Sequence, residues 1–256
     1  MAVPVTDQAI AKIKDLIMSG EFNAGAKLPR EQDLAARLGL SRNSLREAVR
    51  ALTLIGVLDT RVGDGTYVTS LDADVLLTGM GFVGDLLEGT TLLEVHRVRR
   101  ILEPVATGLA ATRLTEADFV ALEAALKQMD EAEANQAFID ADTEFHRIIV
   151  AAAGNATLAS LIQNLSGGMA RARLWRTITE HDAVEITKQR HHDIYVALRA
   201  GDAEQASAAD LIHLADGERW LQRRLARGQT IPGPQAGGKA HSSSTRRDTR
   251  PNGVTS

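Results

Sequence analysis

The chain has 256 residues, no cysteine and a formal net charge of −4, with 44% hydrophobic and 24% charged residues. That length suits two modest domains. The missing cysteines exclude a disulfide frame and a thiolate metal site, so any metal must use histidine and carboxylate. No apolar run approaches the ~20 residues of a membrane span, and the start, MAVPVTDQAIAKI, lacks a secretory pattern, so a cytoplasmic protein is expected.

The charge is unevenly spread. Residues 1–70 carry a net +1, residues 71–226 carry −9 and residues 227–256 carry +4. An acidic body does not bind nucleic acid non-specifically, so any DNA contact must come from a local basic surface.

Thr6 to Ser19 reads as an amphipathic helix with Ile10, Ile13, Leu16 and Ile17 on one face, stopped at Gly20. A second helix is expected from Arg30 to Leu38, with Leu34, Ala35 and Leu38 inward, ended by Gly39. Ser41 then caps a third helix reaching Ile55, because its hydroxyl accepts from the free amides of the first turn. Leu45, Ala48, Val49 and Leu52 make its apolar stripe. Arg42, Arg46 and Arg50 recur every four residues on the flank, with Asn43 at the margin. Guanidinium groups suit phosphates and the O6/N7 edge of guanine, and an amide suits adenine.

Two helices joined by so short a glycine-containing turn make a helix-turn-helix. GVLDTR and TYVTS follow as short strands around Val62-Gly63-Asp64-Gly65, a hairpin signal. Three helices and a hairpin are the order of a winged helix-turn-helix, in which the third helix enters the major groove and the wing touches the backbone or minor groove.

Beyond about Ser70 the pattern is helical, with helices expected at 72–87, 91–112, 115–133, 135–153, 156–178, 182–200 and 203–227. Thr115 with Asp118, Gly154-Asn155 and Gly201-Asp202 mark boundaries. Leu92, Val95, Val98, Leu102 and Val105 read as one buried face, and Leu211, Leu214 and Leu221 as another. The expected fold is therefore mainly α: a winged helix-turn-helix over 1–70, then an all-α antiparallel bundle over 71–227. Residues 228–256, rich in Gly, Pro, Ser and Thr, are too polar to offset their ordering entropy and are expected to form a disordered tail.

Asp142 and His146 stand four apart on one expected helix, with His191 and His213 on later ones. Three imidazoles and a carboxylate from three helices can converge on one metal. Spacing alone leaves a surface ion pair as the commoner reading of Asp142 and His146, and His192 as an equal rival to His191. Arg99 has Glu103 four residues on as an ion-pair partner. Arg171, Arg173 and Trp175 follow Ser166-Gly167-Gly168 within the helix expected at 156–178. The glycine pair reads as a close approach of a neighbouring helix, and Trp175 as core or pocket wall. His96 and His181 show no partner pattern and are expected at the surface.

GAKLPREQDLAARLGLSRNSLREAVRALTLIGVL, followed by VGDGTYV, resembles the DNA-binding domain of the GntR superfamily of bacterial regulators over about residues 8–69. The resemblance implies DNA contacts from Ser41, Arg42 and Arg46, with Gly63 at the wing tip. The family often has arginine where this chain has Gln32, and a basic or polar residue where it has Val62. Arg30, Asn43 and Arg61 are the candidates to compensate. LLEVHRVRRILEPVATGLAA, DTEFHRIIVAAAGN and RHHDIYVALRAGDAEQASAADLIHL resemble the effector domain of the FadR-like branch. This second resemblance implies Asp142, His146, His191 and His213 as metal ligands, leaves His192 outside, and turns Arg99 toward a cavity; Arg173 and Trp175 are taken as further candidate effector contacts.

The expectation is a homodimeric transcription regulator, by family default a repressor and not an enzyme. It would bind an inverted-repeat DNA operator, one divalent metal and a small carboxylate effector such as a sugar acid or hydroxy acid. Histidine with carboxylate suits zinc first, with nickel, iron and manganese as alternatives. The rival readings are a metal sensor and a metal-dependent hydrolase. No unassigned residue is placed by motif as a general base for the latter.

Overall fold

The computed structural model describes residues 4–75, 77, 89–133 and 135–231. Helices α1 (Val5–Met18), α2 (Glu31–Leu38) and α3 (Arg42–Leu54) precede an antiparallel hairpin of β1 (Leu58–Arg61) and β2 (Gly65–Val68), in the register Leu58↔Val68 to Arg61↔Gly65. Ile13, Leu34, Leu45, Leu52, Leu58 and Val68 share one apolar core, so the three helices and the wing fold on a common centre. Between α2 and α3, Gly39 adopts φ +65, a left-handed conformation costly for any residue with a Cβ. That turn allows α3 to start three residues later.

The effector half comprises α4 (Gly89–Ala110), α5 (Glu116–Glu131), α6 (Asn135–Ala152), α7 (Ala156–Gly167), α8 (Ala170–Thr179), α9 (Ala183–Arg199) and α10 (Ala203–Ala226). The expected caps form. Thr115 and Asp118 make a reciprocal capping box, and Asn155 and Asp202 accept from Leu158 N and Gln205 N. Phe119, Leu122, Met129, Phe145, Ile149 and Ile194 fill the main core of this half. Most of the helix expected at 72–87 lies outside the described residues.

Four expectations need correction. The helix expected at 156–178 is two helices, α7 and α8, broken at Gly168 and Met169. A Cβ on Gly167 would meet nothing within 4 Å, so the glycine pair ends a helix and admits no close neighbour. Leu211 is largely exposed, unlike Leu214 and Leu221. The polar segment starts later than expected, because Gly228 turns the chain, Arg224 Nη2 donates to Thr230 O at 3.2 Å, and Ile231 is buried against Leu92, Met169 and Trp220. Residues 232–256 lie outside the described residues.

The fourth correction concerns α4. Val98 and Val105, expected inside, are 42% and 55% exposed, while His96, Arg99, Glu103 and Thr107 are buried. The helix turns its polar stripe inward, where each polar group finds a partner on another turn or another helix. Its apolar stripe of Val98, Ile101, Val105 and Leu109 faces out.

Candidate functional site

The residues expected to face DNA lie on the exposed surface of the first domain. Ser41 Oγ accepts from Ser44 N at 3.0 Å and fixes the start of α3. Burial of Leu45, Ala48, Val49 and Leu52 leaves Arg42, Asn43 and Arg46 on the exposed side. Arg30 and Gln32, at the start of α2, and Gly63, at the hairpin tip, are exposed as well. Arg46 Nε lies 3.5 Å from Glu31 Oε2, a half-exposed pair of the kind worth only ~0–1 kcal/mol, so DNA can redirect it. Asp64 steadies the hairpin by taking Lys27 Nζ and the Tyr67 hydroxyl, each at 2.7 Å. Arg61 lies 4.3 Å above the Tyr67 ring and bonds Asp59 at 2.9 Å. The fully exposed tip residue is Val62.

In the effector half, Asp142 and His146 from α6, His191 from α9 and His213 from α10 bring one donor atom each within 4.8 Å of one another. His191 Nε2 is 3.1 Å from His146 Nε2 and 3.2 Å from Asp142 Oδ1. Zinc bonds of ~2.0–2.1 Å place neighbouring donors roughly 3–3.5 Å apart, a range that the two His191 distances meet, while His146 Nε2 and Asp142 Oδ1 stand 4.0 Å apart. Phe145, fully buried, packs its ring 4.8 Å from His191 and holds α9 against α6. His192, next in sequence, is exposed.

The electrostatics keep the donors in ligating form. Burial pushes the His146 pKa down to about 4, against the pull of Asp142. Burial, with the neighbouring imidazoles, also holds His213 well below its usual range. For Asp142, burial pushes upward, but the Arg173 guanidinium and the His191 contact outweigh it and the carboxyl falls well below the usual range. Arg173 bonds Asp142 Oδ2 through Nη1 and donates to Thr143 Oγ1 at 3.0 Å through Nη2.

Beside this cluster lies a cavity of about 560 Å³, counted out through its mouth, lined among others by His96, Arg99, Asp142, Arg173, His213 and Gly217. Arg99 is both cavity lining and ion-pair partner, since it donates to the two Glu103 oxygens at 2.6 and 3.0 Å. Ser166 Oγ adds a third bond to Glu103 at 3.0 Å. Behind them Asp210 accepts from Thr107 Oγ1 at 2.9 Å, and burial together with the Glu103 carboxylate holds it well above the usual carboxylate range. Trp175 is not among the lining residues. It packs with Leu92, Met169 and Trp220, with the Arg224 guanidinium 5.9 Å from its ring.

Sequence reasoning missed His96. It is buried, not exposed, and its Nε2 lies 2.8 Å from Leu214 O. The signal was the run His96, Arg99, Glu103, Thr107 at helical spacing, a second stripe beside the apolar one.

A model of the bacterial regulatory proteins of the gntR family matches residues 5–68, and a model of the FCD domain matches residues 94–216, a span that contains all four clustered donors. The chain is 31% identical over 209 residues to the HTH-type transcriptional regulator LutR of Bacillus subtilis, which covers 79% of this chain and 94% of LutR. This chain belongs to the GntR family. It is also 27% identical to the galactonate operon transcriptional repressor of Escherichia coli, over 87% of this chain and 99% of that one. The solved structure of a Streptococcus agalactiae GntR protein superposes with a TM-score of 0.58 at 27% identity, covering 84% of this chain and 99% of that one. Membership makes the chain a transcription regulator with a GntR-type DNA-binding domain and an FCD domain, and not an enzyme. Among its described residues no helix is long and apolar enough to cross a membrane.

For this GntR protein, Arg46→Ala is expected to weaken operator binding by ~1–3 kcal/mol, the worth of one bidentate base contact, with the melting temperature unchanged. Electrophoretic mobility shifts at matched salt test it, and wild-type affinity in the variant would remove α3 from the groove.

The buried histidines also set a pH dependence. His96 and His146 have ordinary values near 6.5 that folding lowers to about 4. Between those limits the unfolded chain binds protons that the folded chain does not, so the stability these rings contribute is whole above pH 6.5 and is lost as pH falls toward 4. The loss is ~3 kcal/mol per ring at most. Urea unfolding of chelator-treated protein at pH 7 and pH 4.5 measures it, and equal midpoints would place the rings in solvent.

Proposed function

We propose that this regulator is a homodimeric, effector-responsive repressor whose FCD domain holds one divalent metal and a small carboxylate. Asp142, His146, His191 and His213 would hold the ion, zinc first by donor chemistry, with nickel, iron and manganese as alternatives. Bound there, the metal offers a Lewis-acidic position for a carboxylate. The observation that carries this reading is the meeting of four donors from three helices beside a cavity that also contains Arg99 and Arg173.

The effector class follows from charge. Two guanidinium groups and a cation favour an anion with planar oxygens, such as a sugar acid or hydroxy acid. The galactonate operon repressor, a relative named for a sugar-acid operon, supports that class. A carboxylate seated between α4, α6, α8 and α10 would favour one packing of these helices over another. Only such differential affinity can shift the spacing of two DNA-binding domains. In each domain Arg30, Gln32, Ser41, Arg42, Asn43, Arg46 and Gly63 would meet an inverted-repeat operator. The outward stripe of Val98, Ile101, Val105 and Leu109 on α4 is the surface we assign to the second copy, since exposed apolar patches commonly mark such contacts.

A thermal-shift screen of organic acids on zinc-loaded and chelator-treated protein tests the reading. A carboxylate that stabilises only the loaded form and releases operator DNA supports it. Operator release that follows metal alone, with no carboxylate binding, would make the protein a metal sensor instead.

A further inference from the structure

His96 stands on α4 at the cavity wall, 4% exposed, with Nε2 2.8 Å from the carbonyl oxygen of Leu214. A carbonyl only accepts, so Nε2 carries the proton. Burial, with Arg99 close by, holds the ring pKa at about 4 and keeps it neutral. A neutral imidazole bonded through Nε2–H has a lone pair on Nδ1 and no proton there. That Nδ1 is buried and has no hydrogen-bond partner among the described residues.

The ring is also held in place. A Cβ on Gly217 of α10 would stand 3.1 Å from His96 Cε1 and 3.3 Å from Nε2, so the glycine admits the imidazole and a larger residue would displace it. The nearby guanidinium groups do not donate to it, since Arg99 bonds Glu103 and Arg173 bonds Asp142 and Thr143. His96 lines the cavity, and a buried acceptor on its ring that lacks a donor among the described residues calls for an occupant that brings one.

We propose that His96 Nδ1 accepts a hydrogen bond from a hydroxyl of the effector, and so selects hydroxylated carboxylates over their deoxy analogues. The inference rests on the carboxylate reading given above and adds the residue that sets selectivity within it. The carboxylate end is served by the metal position and the guanidinium groups. The hydroxyl end is served by His96. A deoxy analogue that fills the same space strands the acceptor, and a site built to bond a hydroxyl rejects such an analogue far more strongly than a site of matching shape alone.

The test uses zinc-loaded full-length protein and matched pairs: glycolate with acetate, lactate with propionate, gluconate with hexanoate. Calorimetry is expected to show the hydroxy member of the bound pair tighter by roughly tenfold or more. His96→Phe keeps the bulk and removes the acceptor, and should bring that ratio close to one. His96→Asn offers an amide oxygen near the Nδ1 position and should keep part of it. Gly217→Ala, which leaves His96 in place but pushes its ring, should lower the ratio with zinc content unchanged. A purely structural role would weaken both members equally, so an unchanged ratio in His96→Phe overturns the proposal. So does a deoxy member that binds wild type as well as its partner does. Absence of binding by every acid in the panel overturns the carboxylate reading itself, and this inference with it.

Discussion

His146→Ala is expected to lower metal content to near background and to abolish the response to carboxylates, yet to leave operator binding intact. His146 supplies a buried nitrogen 3.1 Å from that of His191, so its loss opens the donor set at the centre. Changes to groups that merely support a ligand already cost ~10–100-fold in metal affinity, and removal of a ligand should exceed that. A metal held by these residues would tie α6, α9 and α10 together and bind only the folded form, so the variant should also lose any stabilisation that zinc gives wild type. DNA binding persists because α3 packs in a separate apolar core from the one that holds α6 and α9. His192→Ala is the control, since that ring is exposed. Metal analysis of the two variants decides the matter. Full occupancy in His146→Ala, or loss only in His192→Ala, would mean that the metal is held by other residues.

Glu103→Ala destabilises the effector half by ~3–5 kcal/mol, the usual consequence of stranding one member of a buried ion pair. Arg99 is 2% exposed and both of its bonds to carboxylate run to Glu103. Burial pushes the Glu103 carboxyl up, but the Arg99 guanidinium outweighs it, so the carboxyl lies below its usual range and the pair is ionised at neutral pH. Without Glu103 a guanidinium remains with no solvent and no paired carboxylate, because Asp142 is taken by Arg173. The double change Arg99→Met with Glu103→Leu should cost clearly less than Glu103→Ala alone, because it removes the charge as well as its partner. Urea denaturation of the two variants tests this. A Glu103→Ala loss below ~1 kcal/mol would show that another carboxylate compensates Arg99.

Much of the architecture was readable from the chain because it depends on near neighbours. The stripe Leu45, Ala48, Val49, Leu52, the cap at Ser41, the left-handed Gly39 and the hairpin around Gly63 are set by contacts within a few residues, and the helix-turn-helix and wing appear where local chemistry puts them. The Thr115–Asp118 capping box and the Asn155 and Asp202 caps are equally local. The four metal donors were nameable only through resemblance to a family. Their own spacing allowed a surface ion pair and left His191 and His192 equal.

Only the tertiary structure decided which way α4 faces. Two stripes run along that helix, and hydrophobicity alone would bury Val98 and Val105. The polar stripe is inside because its partners lie far along the chain: Leu214 O for His96, Asp210 for Thr107, Ser166 for Glu103. A buried polar group is tolerable only when such partners exist, and no local pattern reveals them. The docking of Ile231 and the His96 Nδ1 left unpaired among the described residues have the same origin. Each depends on what a distant segment places opposite, which is settled when α4 and α10 pack together.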